Sequence, residues 1–553
     1  MDEDDISILC TSNNIDEINN ILQQFLKSNE NVFTFPSLCE NNRRLLLWTA
    51  LFQHLQNKSL EAVHALCLAT IRVLSRDKLD LEALLCEKWI TVLIERAGYY
   101  NIMSAGDESA ISIDVAQKEV IVEALKCLCN LAFNSEVARA LCAHTNIAQV
   151  LVSRVRLYRD IPFKDDIMLF DMKLLFILTA LRHDIKTKIK DELHGMDYLI
   201  SCINEIIIEA SPNITEINPS DGIDMVESAH CIFHDYQQAI ICEILKAQFN
   251  LIIHSGSEEA INEVEEAMFL KLMVVLTTLL HVGTSNESKL VELKSNIANL
   301  LTSVPLLFYP YLTPQLNTGE ICQYAYEGRN MDALHSLVLL FQNKLSNTTN
   351  TKNQYESLSP ILTVMVKCAR SCRAQRKYLR QVVLPPLRDV SSPPEKGTTL
   401  RNQLCRLLTT PVTSVRDLVA EFLFVLCKEK VGRMVKYTGF GNAAGHLAQK
   451  GLLSGGRTGQ YSSSSDDSDT EEYLEAQPHI DPVVGCTRPP RVDPFEGMSE
   501  EQKEYEAMKL VNLFDKMVTD GVMKPARIGP DGRPQAVDHV LELREQPPNR
   551  PQS

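Results

Sequence analysis

The stretches Leu128-Cys129-Asn130-Leu131, Phe249-Asn250-Leu251 and Ala298-Asn299-Leu300 decide how this chain is read. Each sets a single amide side chain inside an otherwise apolar run. A buried amide without a partner costs about 1–3 kcal/mol, so its recurrence points to a shared task. Two tasks satisfy it: bonding a neighbouring loop carbonyl so that successive repeats align, or contacting an extended peptide laid across them.

The first interval between these asparagines is close to three units of roughly 40 residues and the second to one slightly long unit, the period of armadillo and HEAT repeats. Stacked helical hairpins escape the size limit that a single core imposes, so 553 residues can form one long array. From about Ile6 to about Lys436 apolar segments at helical spacing alternate with short polar breaks. Leu174, Leu178 and Leu181 illustrate one such stripe, with Lys173 and Arg182 off it. Sustained period-two alternation is absent from the text. The breaks carry helix punctuation, as at Ser211-Pro212-Asn213 and from Ser391 to Gly397, and the polar insertions around Gly106 to Asp114 and Ser346 to Asn353 read as loops. The fold expected is all-α: an armadillo/HEAT-type α-solenoid superhelix over residues 1–437.

Glycines crowd in from Gly439 to Gly456, and Tyr461 to Glu475 is serine-rich and acidic, a composition too poor in apolar surface to offset ordering entropy. Residues 438–498 therefore read as a flexible linker. Ser499, with Gln502 three residues on, can cap a helix over 499–518 whose Leu510, Leu513, Phe514 and Met517 share one face. Residues 519–553 read as an irregular tail. The late helix needs the solenoid or a partner to cover its apolar face.

Bulk properties exclude several classes. A net charge of -16 argues against general nucleic-acid binding, which depends on cations neutralising phosphates. The acidic start, Met1 to Asp5, does not resemble a secretory leader, and the greasy run from Phe269 to Val282 is interrupted by Lys271 and too short to span a bilayer. A cytoplasmic protein without stable membrane insertion is expected. Its 16 cysteines lie mostly in apolar helical text, as at Cys67, Cys86, Cys127 and Cys129, without disulfide or zinc spacing, and no metal or cofactor is expected.

Two glycine motifs tempt. Gly451 to Thr458 has the spacing of a phosphate-binding loop but carries Arg457 where lysine is required and is followed by serines rather than a helix. Gly439, Gly441 and Ala444 match a dinucleotide fingerprint without a surrounding β-α-β pattern, so a flexible turn is the expectation. Zinc-protease, nucleophile-elbow and paired Cys-x-x-Cys motifs cannot be quoted from the chain. Binding, not bond-making catalysis, is expected.

Charged clusters offer sharper candidates. Arg72 and Arg76, one helical turn apart, can clamp a carboxylate, or simply face water. Arg373, Arg376, Lys377 and Arg380 lie in one basic helix-like stretch. Ser463 has Asp466 three residues on and Ser468 has Glu471, the arrangement an acidophilic kinase such as casein kinase 2 prefers. Two phosphates would add about -3 to -4 charges, which the basic stretch can order, stapling tail to solenoid.

Long words of the sequence resemble the synembryn family: Thr70 to Asp77, Leu125 to Leu131, Leu174 to Arg182, Val383 to Val390, Ala420 to Cys427 and Lys436 to Gly445, then Glu496 to Gln502 and Glu506 to Asn512. The resemblance implies a chaperone and non-receptor guanine-nucleotide exchange factor for heterotrimeric G-protein α subunits. It implies that the concave face of the solenoid captures the α subunit's C-terminal helix through Arg72, Arg76 and Asn130, with Phe170, Lys173 and Asn250 as further contacts. The late helix, through Met508, Leu510, Leu513, Phe514 and Met517, then meets the Ras-like domain, and Ser463 and Ser468 match phosphorylated positions. Asymmetric capture of one client suggests a monomer, recruited in part to the cell cortex. The rival expectation is a general armadillo-type peptide adaptor without exchange activity.

Overall fold

The computed structural model describes residues 3–99, 115–211, 231–253, 261–317, 319, 322–346, 351–456, 469–487 and 497–537. Its described residues are overwhelmingly helical, with strands only in short two-stranded ladders. The chain divides into two compact units, Met1–Tyr311 and Leu312–Ser553, where the sequence suggests one array to residue 437.

In the first unit six helices stack in one row, each on the next: α1 (Ile15–Ser28), α2 (His64–Leu74), α3 (Val115–Asn134), α4 (Lys164–Leu181), α5 (Asp235–Ile252) and α6 (Glu287–Ser303). A second row backs them, running from Arg43–Gln56 through Glu87–Arg96, Glu136–Ala143, Ile147–Arg156 and Gly195–Ala210 to Glu263–His281. This two-row ladder is a helical solenoid, and its core lies between the rows. Trp48, Phe52, Leu128, Leu174, Leu178, Ile244 and Leu276 are fully buried there. Each such side chain contributes about 1.5–3 kcal/mol by leaving water, which is what holds helices too short to persist alone.

Local chemistry sets the ends. Asn14, Ser135, Asn262 and Asn286 each accept a backbone N–H in the first turn that follows them. Of the stripe read from the sequence, Leu174 and Leu178 are in the core, but Leu181 closes α4 and is 47% exposed. Cys67, Cys127 and Cys129 are buried, and burial pushes the Cys67 thiol up to about 12. Cys86 instead lies exposed just before a helix.

The second unit contains α7 (Asp332–Ser346), α8 (Thr351–Ser371), α9 (Arg373–Val383), α10 (Thr413–Leu426), α11 (Val431–Thr438), α12 (Phe440–Lys450) and α13 (Glu500–Thr519). The break after α9, from Ser391 to Gly397, lies where the prolines place it. The loop expected to reach Asn353 is shorter, because α8 starts at Thr351, and residues 106–114 lie outside the described set. Nor do helices stop at 438. α12 packs on α10 and α11 and buries Ala443, His446 and Leu447, so an apolar face outweighs its glycines. Further on, Glu471–Ala476 is helical, Ile480–Asp481 pairs with Cys486–Thr487, and Ala526–Ile528 pairs with Pro534–Ala536. No described helix is long and apolar enough to cross a membrane.

Candidate functional site

The groove residues named from the sequence fall on α2 to α5, consecutive members of the first row, except Arg76, which lies in the turn just past the end of α2. The Arg72 Nε donates to Glu123 Oε2 at 2.7 Å, and Glu123 Oε1 accepts from Lys126 Nζ at 2.8 Å. Lys126 and Lys173 then stand over the ring of Phe170, 5.2 and 5.0 Å from its centroid. Arg72, Phe170 and Lys173 thus belong to one belt across three helices, joined through Glu123 and Lys126. Those two joining residues escaped the sequence reading. Their signal was there, in a Glu and a Lys one helical turn apart shortly before Asn130.

Arg76 points elsewhere. Its Nη1 donates to the Glu30 carbonyl at 2.8 Å and lies 3.3 Å from that of Val32, while its guanidinium stands 5.4 Å from the Phe33 ring centroid. Burial and the neighbouring Arg72 charge push its pKa below the usual arginine value. Arg72 lies in the last turn of α2 and Arg76 beyond its C-cap, so the two occupy different environments rather than forming the pair expected of one helical face.

The asparagines show what a recurring amide is for. Asn130 Nδ2 donates to the Arg72 carbonyl at 3.2 Å and to Ser75 Oγ at 3.4 Å. Asn250 Nδ2 donates to the Phe176 carbonyl and to Thr179 Oγ1, both at 3.2 Å. Each amide thus ties its helix to the last turns of the preceding row member, through a carbonyl and a hydroxyl three residues later. Nitrogen serves alignment, and Oδ1 of both side chains accepts no hydrogen bond among the described residues. Asn299 does not join them: it is exposed, and its side chain makes no hydrogen bond there. The expectation of a buried third amide is corrected accordingly.

A buried anchor fixes α4 from behind. Arg154 Nε meets Asp171 Oδ2 at 2.8 Å, Tyr99 donates its hydroxyl to Asp171 Oδ1 at 2.7 Å, and Arg154 Nη1 donates to the Ala97 carbonyl at 2.6 Å. Both charged side chains are almost wholly buried, so removing one partner costs about 3–5 kcal/mol. Asp171 adjoins Phe170, and the anchor therefore sets the belt's register.

In the second unit the glycine motifs acquire their own explanation. Phe440 N–H donates to the Pro482 carbonyl at 2.8 Å and Gly441 N–H to that of Val483 at 2.9 Å. A strap of the chain's own tail caps the start of α12, where a nucleotide fingerprint would place phosphate. Gly439 adopts φ 74° there, and a Cβ on it would stand 2.8 Å from the Val484 carbonyl oxygen. Gly451 closes α12 in a left-handed conformation, the opposite end from the one a phosphate loop opens. Thr470 anchors the strap by donating to the Leu387 carbonyl, and Asp469 pairs with Lys436.

The basic stretch is less open than its charges suggest. Arg376 is buried and donates to the Ala369 carbonyl at 2.9 Å, Lys377 pairs with Glu327 at 2.7 Å, and Arg380 bonds Tyr437. Arg373 is exposed. Ser463 and Ser468 lie outside the described residues.

On α13 the capping box forms as read: Gln502 N–H donates to Ser499 Oγ at 3.3 Å and Ser499 N–H to Gln502 Oε1 at 3.2 Å. The helix has no buried residue. Met508, Leu510 and Leu513 are more than half exposed, and Phe514 and Met517 are half-buried.

Against known families, residues 67–533 match the model described as Ric8, guanine nucleotide exchange factor synembryn. The chain belongs to the synembryn family. Its relatives include the Drosophila melanogaster protein named Chaperone Ric-8, 37% identical over 97% of this chain and 96% of that protein. The zebrafish (Danio rerio) Chaperone Ric-8A is 39% identical over 93% and 91% of the two chains. A solved chain from work on cadherin and β-catenin covers 81% of this chain and 71% of its own at 13% identity and a TM-score of 0.47, a likeness too loose to carry an argument. The synembryn match includes the whole belt, the strap and α13, so exchange-factor and chaperone activity are what these surfaces have to account for. Among the described residues no group of His, Cys, Asp and Glu is arranged to hold a metal.

Proposed function

We propose that this synembryn acts on heterotrimeric G-protein α subunits, taking the client's C-terminal helix on the α2–α5 belt and promoting GDP release while it assists folding. The observation that carries the reading is the belt itself. Arg72, Lys126 and Lys173 are partly exposed donors, an arrangement suited to a helix C-terminus with its terminal carboxylate and free carbonyls, and the Oδ1 atoms of Asn130 and Asn250 remain as acceptors for side-chain donors. The second grip is α13, whose Met508, Leu510 and Leu513 need a cover and are offered to the Ras-like domain, with Phe514 and Met517 beside them.

Two grips explain exchange in physical terms. A factor shifts nucleotide state only if it binds the empty client more tightly than the loaded one. Joining a helix-holding surface to a second contact through one chain raises effective concentration when the client's parts can be held apart, and that supplies the difference. A preference for an incompletely ordered client gives the chaperone role. Phosphorylation of Ser463 and Ser468 by an acidophilic kinase, with exposed Arg373 as the member of the basic stretch placed to receive a phosphate, belongs to the same proposal, as do a monomeric state and a cytoplasmic location reaching the cortex.

Arg72→Glu combined with Lys173→Glu tests the belt. Affinity for a purified α subunit is expected to fall at least about tenfold with helix content unchanged by circular dichroism. Wild-type affinity in a folded variant removes the belt from the account.

A further inference from the structure

Glu123 to Asn130 reads Glu-Ala-Leu-Lys-Cys-Leu-Cys-Asn, and Glu243 to Asn250 reads Glu-Ile-Leu-Lys-Ala-Gln-Phe-Asn. The Glu, Leu, Lys and Asn recur in register, one copy on α3 and one on α5, the two row members that flank α4. The structure uses both copies alike. Lys126 Nζ lies 2.8 Å from Glu123 Oε1 and Lys246 Nζ 2.8 Å from Glu243 Oε1. Each ammonium also leans onto a phenylalanine of α4: Lys126 is 5.2 Å from the Phe170 centroid and Lys246 5.0 Å from that of Phe176. Both asparagines bond the preceding helix through Nδ2 in the same way.

α4 is therefore bracketed by two equivalent lysine lids. Phe170 and Phe176, both half-buried, are roofed by ammonium groups that each own glutamate holds in place. Beside the first lid lies a groove of about 280 Å³ lined by Leu66, Ala69, Val122, Glu123 and Lys126. An ammonium over a ring is worth about 0.5–1 kcal/mol at a partly exposed site, so a competing carboxylate can draw the lysine off the ring while its ion pair to the largely buried glutamate is kept. Once it moves, the ring is free to take an apolar side chain.

We propose that α4 and its two lids form a recognition surface for an acidic amphipathic helix, with Lys126 and Lys246 as specificity-determining residues and Glu123 and Glu243 as positioning residues. The partner supplies apolar side chains to Phe170 and Phe176 and carboxylates to the two lysines. Charge favours that partner: Arg72 and Lys126 meet Glu123, Lys246 meets Glu243, Lys173 stands over Phe170, and the groove's Glu119, with Lys118 paired to Asp166, still leaves a cationic excess. The glutamates hold the lysines over the rings and compete with a partner's carboxylates for them, so they position the lids and temper the preference for acid. This deepens the client-helix reading and rests on it for the identity of the natural partner.

The test uses the full chain and two synthetic helical peptides of one design, leucines on one face flanked by glutamates in one and by glutamines in the other. Wild type is expected to bind the acidic peptide about tenfold more tightly at low salt. Lys126→Met with Lys246→Met should abolish that preference and leave the glutamine peptide's affinity unchanged. Glu123→Gln with Glu243→Gln should enlarge the preference and steepen its salt dependence, circular dichroism confirming the fold of each variant. Equal affinity of wild type for the two peptides, or an equal loss of both in the lysine variant, overturns the proposal. GDP release from a purified α subunit, followed with the same wild-type protein, separates the two readings. Acceleration without peptide discrimination overturns the α4 surface and leaves the exchange reading standing, whereas discrimination without acceleration does the reverse.

Discussion

α3 and α13 are both 20 residues long, and they are held by different physics. α3 buries Ala124, Leu125, Leu128 and Leu131 between neighbouring helices and ties Asn130 to α2, so tertiary packing makes it a helix. α13 buries nothing and carries its own instructions: a reciprocal capping box, acidic residues Glu500 and Glu501 in its first turn and Lys516 in its last. Scaffold helices such as α1 and α6 add packing to the caps at their ends, whereas a helix awaiting a partner has its local end signals alone.

That contrast can be broken by truncating one leucine in each. Leu128→Ala in α3 should cost about 2–5 kcal/mol, read as a lower urea midpoint, whereas Leu513→Ala in α13 should stay within about 0.5 kcal/mol. Comparable losses at both sites would mean that α13 is packed in solution. A subtler contrast lies within the row. Gln248 is fully buried with neither amide atom bonded, at the place that Leu128 occupies in the matching word. Gln248→Leu should stabilise the chain by about 1–3 kcal/mol, because an unsatisfied polar group disappears without a change of size. Next in size is the cap: Ser499→Ala should cost α13 about 1 kcal/mol, visible as faster amide exchange over Glu500–Thr519 and as no change in α3.

Acid should produce the smallest effect, and in the first unit it acts through two buried histidines. His54 Nε2 donates to the Leu9 carbonyl at 2.8 Å, and His64 Nε2 lies 3.0 Å from the His54 carbonyl. Burial lowers both imidazole pKa values from the usual 6.5, so the folded form favours the neutral rings. Their stabilising contribution is complete above pH 6.5 and fades as pH falls toward the depressed folded values. Protection of the Glu3–Thr11 helix should decline over that window after correction for intrinsic exchange, while α13, which contains no histidine, serves as the control.

Much of this was legible in the residues. Helical periodicity, the prolines after α9 and the Ser499–Gln502 box are local signals, and the structure reproduces each. What escaped depends on distant pairing. Nothing near Gly439 and Gly441 announces that Pro482 and Val483 will accept from the backbone there, so glycines needed for close approach resemble a nucleotide fingerprint. Arg376 belongs to a basic run, but only packing shows that it is buried against the end of α8. Asn130 and Asn250 were visible as unusual amides, yet the division of labour between their nitrogen and oxygen required the preceding helix to be in place.

The central claim is that the belt on α2–α5 promotes nucleotide release from its client rather than merely holding it. GDP dissociation from a purified G-protein α subunit should accelerate in the presence of the wild-type chain and return to the unassisted rate with Arg72→Glu and Lys173→Glu combined. A wild-type chain that forms a stable complex with the α subunit yet leaves GDP dissociation unchanged would contradict the account and favour a peptide-binding adaptor.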